Sequence, residues 1–247
     1  MEKNSFINEL KIRCVNVSDE QYALLDKFMK HVLLTNEKFN LTAIKNESEF
    51  LEKMVFDSAI LLNDQDLKNA SILDMGTGAG FPSVVLAILS NNKVTALDST
   101  KKKIDFIADF CKENGISIDC VNARAEDFSN NNREKYDYVT ARAMAELRIL
   151  IELGVPALKV GGKLLAYKGP NYEEEVERSR GTMCKLGCHI EKVYSDVLPE
   201  TGEERNIIYI VKDRVTDKKY PREYKIIKEK SLWMIQWFHH GKDNINL

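Results

Sequence analysis

Polar and apolar positions change rhythm twice along this chain. Up to about residue 65 the apolar positions return at helical spacing: behind Ser18-x-x-Gln21, a capping-box pattern, come Tyr22, Leu25, Met29, Val32 and Leu33. This spacing predicts an amphipathic helix with one buried face, and a second helix is predicted over 47–62, after the turn-like Asn40-Leu41-Thr42. From Ala70 to about Val211 short β-rich runs alternate with helical ones. Strands are predicted over 71–75, 93–98, 117–121, 136–141 and 163–168, and helices over 82–90, 100–113, 146–157 and 172–186. Such alternation means consecutive βαβ units, hence an α/β, doubly wound, mostly parallel sheet covered on both faces. Two last strands, 190–197 and 206–211, are joined through residues 198–204 without a helix and are expected to form an antiparallel hairpin at one edge. The expected organisation is an N-terminal helical extension over 1–65, an α/β domain over 66–212 and a C-terminal segment, 213–247, packed on the same domain.

Composition narrows the class without choosing a function. With 44% apolar and 30% charged residues the chain is that of a folded globular protein, not a disordered one. A net charge of −2 exerts no global pull on a polyanion, so a nucleic-acid partner would have to meet a local basic patch. One candidate runs from Lys212 to Lys230, with eight Lys or Arg against four Asp or Glu, and leads into Trp233 and Trp237. Cations neutralise phosphate and aromatics stack on bases, but a solvated helix whose aromatic face packs on the domain gives the same pattern. The longest apolar run, Val84 to Leu89, is far short of a membrane span, and the first residues lack a signal-peptide core; a cytoplasmic protein with no membrane partner is expected. Five scattered cysteines without a C-x-x-C pair fit reduced thiols, and Cys184, Cys188 and His189 lack a second ligand pair, so no metal is expected.

The chemistry concentrates in Ile72 to Pro82. An apolar strand ends in a turn whose glycines allow a ligand to approach the main chain, and Pro82 suits a first helical position. This is a nucleotide-type cleft at the carboxyl end of a first strand. Dinucleotide enzymes use G-x-G-x-x-G, whereas Gly76, Gly78 and Gly80 alternate behind Asp74; that D-x-G-x-G-x-G form resembles the first motif of class I methyltransferases. The second strand ends at Asp98, an acid placed to accept hydrogen bonds from both ribose hydroxyls. After the third strand, residues 122–127 lie where the adenine edge falls in such a fold, although taken alone they are a polar loop. Arg142 and Lys168 end the fourth and fifth strands, where each would meet an anionic group or form a structural ion pair; the sequence does not choose.

Taken in order, Asn40 to Ile44, Asp74 to Pro82, Val94 to Lys103, Arg124 to Glu126, Val139 to Ala143, Lys168-Gly169, Leu198 to Asn206 and Tyr220 to Arg222 resemble the GidB/RsmG family. That family methylates guanine N7 in bacterial 16S ribosomal RNA with S-adenosylmethionine. The resemblance implies a class I methyltransferase (Rossmann-like) fold, S-adenosylmethionine as cofactor, and 16S ribosomal RNA or the small ribosomal subunit as partner. It also implies roles: Gly76, Gly78 and Phe81 at the cofactor, Asp98, Ser99 and Thr100 on the ribose side, Ala125 and Glu126 on the adenine side, and Arg142 at the mouth. Asn40, Lys168 and Arg205 would lie near the RNA. The chain departs from the family pattern where Val55-Phe56 stand in place of a His before Asp57-Ser58, and where Lys225 and Ile227 stand in place of Gly and Pro after Tyr-Pro-Arg. An aromatic tail, Trp233 to His240, extends past the usual end.

Guanine N7 carries a lone pair and no proton, so its attack on a sulfonium methyl calls for alignment and not for a base; no catalytic residue is assigned. Three other readings stay open: a cofactor-binding RNA or ribosome assembly module without turnover, a small-molecule methyltransferase and, furthest from the motifs, an NAD-dependent dehydrogenase. Nothing in the sequence decides the oligomeric state, for which a monomer is the default.

Overall fold

The computed structural model describes residues 1–37, 41–63 and 67–232. The chain divides into two units, Met1–Ala123 with Asp196–Arg205, and Arg124–Ser195 with Asn206–Leu247. In the first unit, helices α1 (Lys3–Ile12) and α2 (Asp19–Asn36) precede a helical run made of α3 (Glu47–Phe50), a π turn (Leu51–Phe56), α4 (Asp57–Ala59) and a 3-10 turn (Ile60–Asn63). The expected capping box is formed: Ser18 Oγ accepts from Gln21 N at 3.1 Å and Gln21 Oε1 from Ser18 N at 3.0 Å. The buried face of α2 carries Leu25, Phe28, Met29 and Val32, as its spacing requires. The second helix, expected as one stretch over 47–62, is helical throughout, but its middle widens into the π turn. Periodicity does not signal a π turn, because the apolar spacing hardly changes over one turn.

The rest of this unit alternates β1 (Ser71–Met75), α5 (Ser83–Leu89), β2 (Lys93–Asp98), α6 (Lys101–Glu113) and β3 (Asp119–Asn122). Its strands lie in the order β3-β2-β1, all parallel, with Asp74 opposite Ala96 and Asp98 opposite Asn122. β1 and β2 are buried along almost their whole length, which is what continuous apolar runs such as Ile72-Leu73 require of strands covered on both faces.

The second unit holds α7 (Ala125–Asn131), β4 (Tyr136–Arg142), α8 (Leu147–Gly154), β5 (Leu158–Lys168), α9 (Tyr172–Leu186), β6 (Cys188–Val197), β7 (Glu204–Lys212) and α10 (Tyr224–Glu229). β4 and β5 are parallel, β7 runs antiparallel to β5, and β6 lies outside β7 at the edge. All seven strands belong to one mostly parallel sheet, the doubly wound α/β architecture expected. The chain order of the last two strands is reversed in space because Ile207 to Ile210, a run of three isoleucines and Tyr209 that is buried throughout, takes the inner place. β6, with Glu191, Lys192 and Asp196 among its residues, suits an edge that has to reject further pairing. Residues 122–127, a polar loop by sequence alone, run into α7 from Ala125 onward, a helix that buries Ala125, Phe128 and Ser129. Among the described residues no helix is long and apolar enough to cross a membrane.

Candidate functional site

The parallel ladder of β1 and β2 runs on into the glycine turn, where Gly76 N and Thr77 N both donate to Leu97 O, at 2.8 and 3.0 Å. Three alternate glycines then turn with positive φ, 76° at Gly76, 60° at Gly78 and 100° at Gly80. A Cβ built on Gly78 would meet nothing nearer than Gly76 O at 4.0 Å, so the turn presents bare main chain at this point. The turn is held from beneath. Asp74, 1% exposed, accepts from Ser83 N at 3.1 Å, and the hydroxyls of Thr77 and Ser83 lie 2.5 Å apart, tying the turn to the first residue of α5. Pro82 stands just before that helix instead of opening it. Ser83 gives no signal in the sequence, since a serine after a proline is common in any turn.

Asp98 reaches the same turn from the end of β2. Its Oδ2 accepts from Gly78 N at 3.1 Å, its Oδ1 from Thr100 N at 2.8 Å, and Lys103 Nζ lies 3.8 Å away. Asn122 at the end of β3 donates to Asp98 O at 2.9 Å. A carboxylate offers about four acceptor positions, so two main-chain donors leave capacity for hydroxyl groups. Ser99 and Thr100, next in the chain, are exposed. Phe81 is 3% exposed, its ring set against Phe28 at 5.2 Å and Phe50 at 5.4 Å. What it can offer a ligand is therefore its main chain. Phe28, on α2, was not singled out by sequence; its only signal is its place one turn after Leu25.

The other sequence-predicted residues are distributed as follows. In the first unit, Arg205 is engaged at every nitrogen: Nη2 with Glu203 at 2.8 Å, Nε with Asp57 at 3.4 Å, and Nη1 donating to Glu204 O at 3.0 Å. Its neighbours in residues 198–204 dock on the π turn, where buried Glu52 accepts from Glu200 N and Thr201 N at 2.6 and 3.1 Å and Lys53 pairs with Glu203 at 2.5 Å. Asn40 lies outside the described residues, but Asn36 organises the turn beyond it, accepting from Leu41 N and Thr42 N and donating to Thr42 O. A recess of about 1130 Å³ beside that turn is lined by Lys30, Leu33, Thr42 and Lys45 among others.

In the second unit, Ala125 opens α7 with Glu126 beside it, and Arg142 is the last residue of β4, in register with Tyr167. Lys168 forms an ion pair with Glu175 at 2.6 Å. Of the basic run, Lys212 is fully buried and donates to Leu158 O at 2.7 Å, its amine pushed below the usual lysine range by burial. Arg222 forms a two-toothed pair with Glu152, both contacts 2.7 Å, and Arg214 donates to Cys184 O. Half of the run thus has a partner within the same unit, counting Lys219 on Asp217, but only Lys212 and Arg222 are withdrawn from solvent; Arg214, Lys218, Lys219, Lys225, Lys228 and Lys230 are exposed. The aromatic tail from Trp233 lies outside the described residues.

The pattern of the family described as GidB, rRNA small subunit methyltransferase G, matches residues 21–221. A relative from Lactobacillus acidophilus, named ribosomal RNA small subunit methyltransferase G, is 37% identical over 230 residues, covering 90% of this chain and 96% of that one. One of the same name from Limosilactobacillus reuteri is 39% identical over 233 residues, covering 90% and 95%. Among solved structures, the ribosomal protein L11 methylase of Lactobacillus delbrueckii subsp. bulgaricus superposes with a TM-score of 0.51 at 15% identity, over 66% of this chain and 79% of that one, a likeness of fold alone. With the pattern matched across residues 21–221 and relatives of this identity along nine-tenths of its length, this chain belongs to the rRNA small subunit methyltransferase G family.

Proposed function

We propose that this protein transfers a methyl group from S-adenosylmethionine to a guanine N7 of 16S ribosomal RNA, in the cytoplasm. The observation that carries this reading is membership of the family over nearly the whole chain, joined to a glycine turn whose bare main chain stands beside Asp98. The residues suit the cofactor. Gly76, Gly78 and the main chain of Phe81 would receive its methionine and ribose portion, and Asp98 would accept from the ribose hydroxyls, with Ser99 and Thr100 beside it. Ala125 and Glu126 on the adenine side and Arg142 at the mouth are carried over from the resemblance, residue by residue. On the RNA side the same transfer names Asn40, Lys168 and Arg205; the internal ion pairs of the last two favour a supporting role for them.

Bound S-adenosylmethionine supplies an activated methyl on sulfonium, and guanine N7 supplies an in-plane lone pair. No proton has to be removed for the bond to form, so the protein's own task is to align the groups and exclude water. Alignment of this kind accounts for about 7–11 kcal/mol of a barrier. Asp98 and the Asp74–Ser83 and Thr77–Ser83 contacts contribute by keeping the turn in one shape before the cofactor arrives.

The test is incubation with labelled cofactor and ribosomal RNA, or small subunits, from cells lacking the modification, followed by nucleoside analysis. The expected product is N7-methylguanosine, with the cofactor's binding measured separately by calorimetry. RNA binding without product while the cofactor binds would make the protein an assembly module, and labelling of a small molecule that RNA does not compete away would redirect the substrate. Failure to bind S-adenosylmethionine and its demethylated product would remove the reading altogether.

A further inference from the structure

Just past Arg142 the chain adopts a conformation it would not hold unaided. Ala143 has φ +52°, in the left-handed region that residues with a Cβ rarely occupy without support. The support comes from two side chains far along the sequence. Lys168 lies one residue beyond Tyr167, the register partner of Arg142, and its Nζ donates to Ala145 O at 2.8 Å and to Glu175 Oε2 at 2.6 Å. The same Glu175 oxygen accepts from Leu147 N, the first amide of α8, at 2.7 Å. One cation and one anion thus hold the carbonyl of residue 145 and the amide of residue 147.

We propose that Lys168 and Glu175 form a positioning pair that fixes the main chain of residues 143–147 and thereby aims Arg142, and that Lys168 does not contact RNA phosphate. The Lys168 side chain is 8% exposed, and its ammonium already serves a carboxylate and a carbonyl. To approach a phosphate it would have to abandon both and leave Glu175 a partly buried anion without its cation, which is costly. The base of the device is fixed as well: Asn206, opposite Lys168 on β7, donates to Gly169 O at 3.3 Å and accepts from Ser195 Oγ at 2.6 Å. Glu175 has no place in the expected cofactor or RNA contacts, so a kinetic effect of changing it separates positioning from binding. The inference rests on the methyltransferase reading above.

The experiment compares wild type with Lys168→Met, Glu175→Ala and the double variant, measuring kcat, KM for ribosomal RNA and cofactor, and the dependence of KM on salt. Thermal melts accompany each, and Glu175→Gln replaces any variant that does not fold. Each single variant is expected to lose kcat by roughly 10–100-fold, the scale of a small misplacement near the reacting groups. The double variant should lose no more than the worse single one, because both act through one segment. Salt dependence should not change, and Ala143→Gly in the Lys168→Met background should recover part of kcat, since glycine holds positive φ unaided. Wild-type kcat in both Glu175 variants overturns the proposal. So does a Lys168→Met effect confined to KM for RNA with a salt slope reduced by about one, the mark of a lost phosphate contact. If wild type transfers no methyl group, the functional reading fails by itself, and amide exchange decides the pair: protection of Leu147 N should fall in Glu175→Ala, and unchanged protection there overturns it.

Discussion

Gly80 is where the glycine turn and the N-terminal helices constrain each other. A Cβ at this position would sit 2.8 Å from Val84 Cγ2 and 2.9 Å from Phe28 Cζ, on a residue whose φ of +100° already excludes most side chains. The Phe28 ring cannot withdraw, because it is buried and packed on Phe81 and Phe110 at 5.2 and 4.9 Å. Gly80→Ala is therefore expected to cost about 1–3 kcal/mol, the range for a strained main-chain position. For a chain of this size that lowers the midpoint of a thermal melt by at least ~2 °C. An unshifted melt would mean that the turn and α2 yield more easily than their packing implies. The glycines were legible in the sequence, because alternate residues without a Cβ in a turn have a local cause. Phe28 was not, because only the folded chain brings α2 against the turn.

At the scale of elements, the π turn and residues 198–204 form one assembly within the first unit. Glu52 is 1% exposed, and its carboxylate receives two main-chain amides of the loop, while Lys53 and Arg205 hold Glu203. Glu52→Ala would leave both amides without their acceptor, a loss of about 1–3 kcal/mol for a buried site. Amide exchange at Glu200 and Thr201 should rise well before global unfolding; retained protection at both would show that other contacts suffice. Acid should act in the same direction on Glu203. Hydrogen bonds from Lys53 and then Arg205 hold its carboxyl below the usual carboxylate range. Its contribution is thus present above the unfolded-state value and is lost as pH falls through the lowered one. Because Glu203 is 42% exposed, solvent screening keeps that contribution small. The sequence showed a helix here and a polar connection there, but their joining depends on pairs about 150 residues apart.

Across the whole molecule the thiols report on folding. Burial pushes Cys111 and Cys188 up to about 12 and Cys120 to about 11, whereas Cys14 and Cys184 are exposed. Alkylation of the native protein at neutral pH should label Cys14 and Cys184 first, half-buried Cys120 more slowly, and Cys111 and Cys188 only on unfolding; rapid labelling of Cys188 in the native state would contradict its enclosure. The sequence by itself determined where the strands of the parallel sheet and the helices between most of them fall, where the glycine turn lies and that the sheet is mostly parallel, because each follows from periodicity and from sterics between near neighbours. It also carried the ordered motifs of the family. Only the tertiary structure decided that β7 lies inside β6, that residues 125–131 are helical, and where the charged residues at strand ends point. Lys168, Arg205, Lys212 and Arg222 look alike in a sequence, as cations free to meet phosphate. Their roles are decided by which carboxylate or carbonyl the folded chain brings within about 3 Å of each, the reach of a hydrogen bond, and no local pattern specifies that partner.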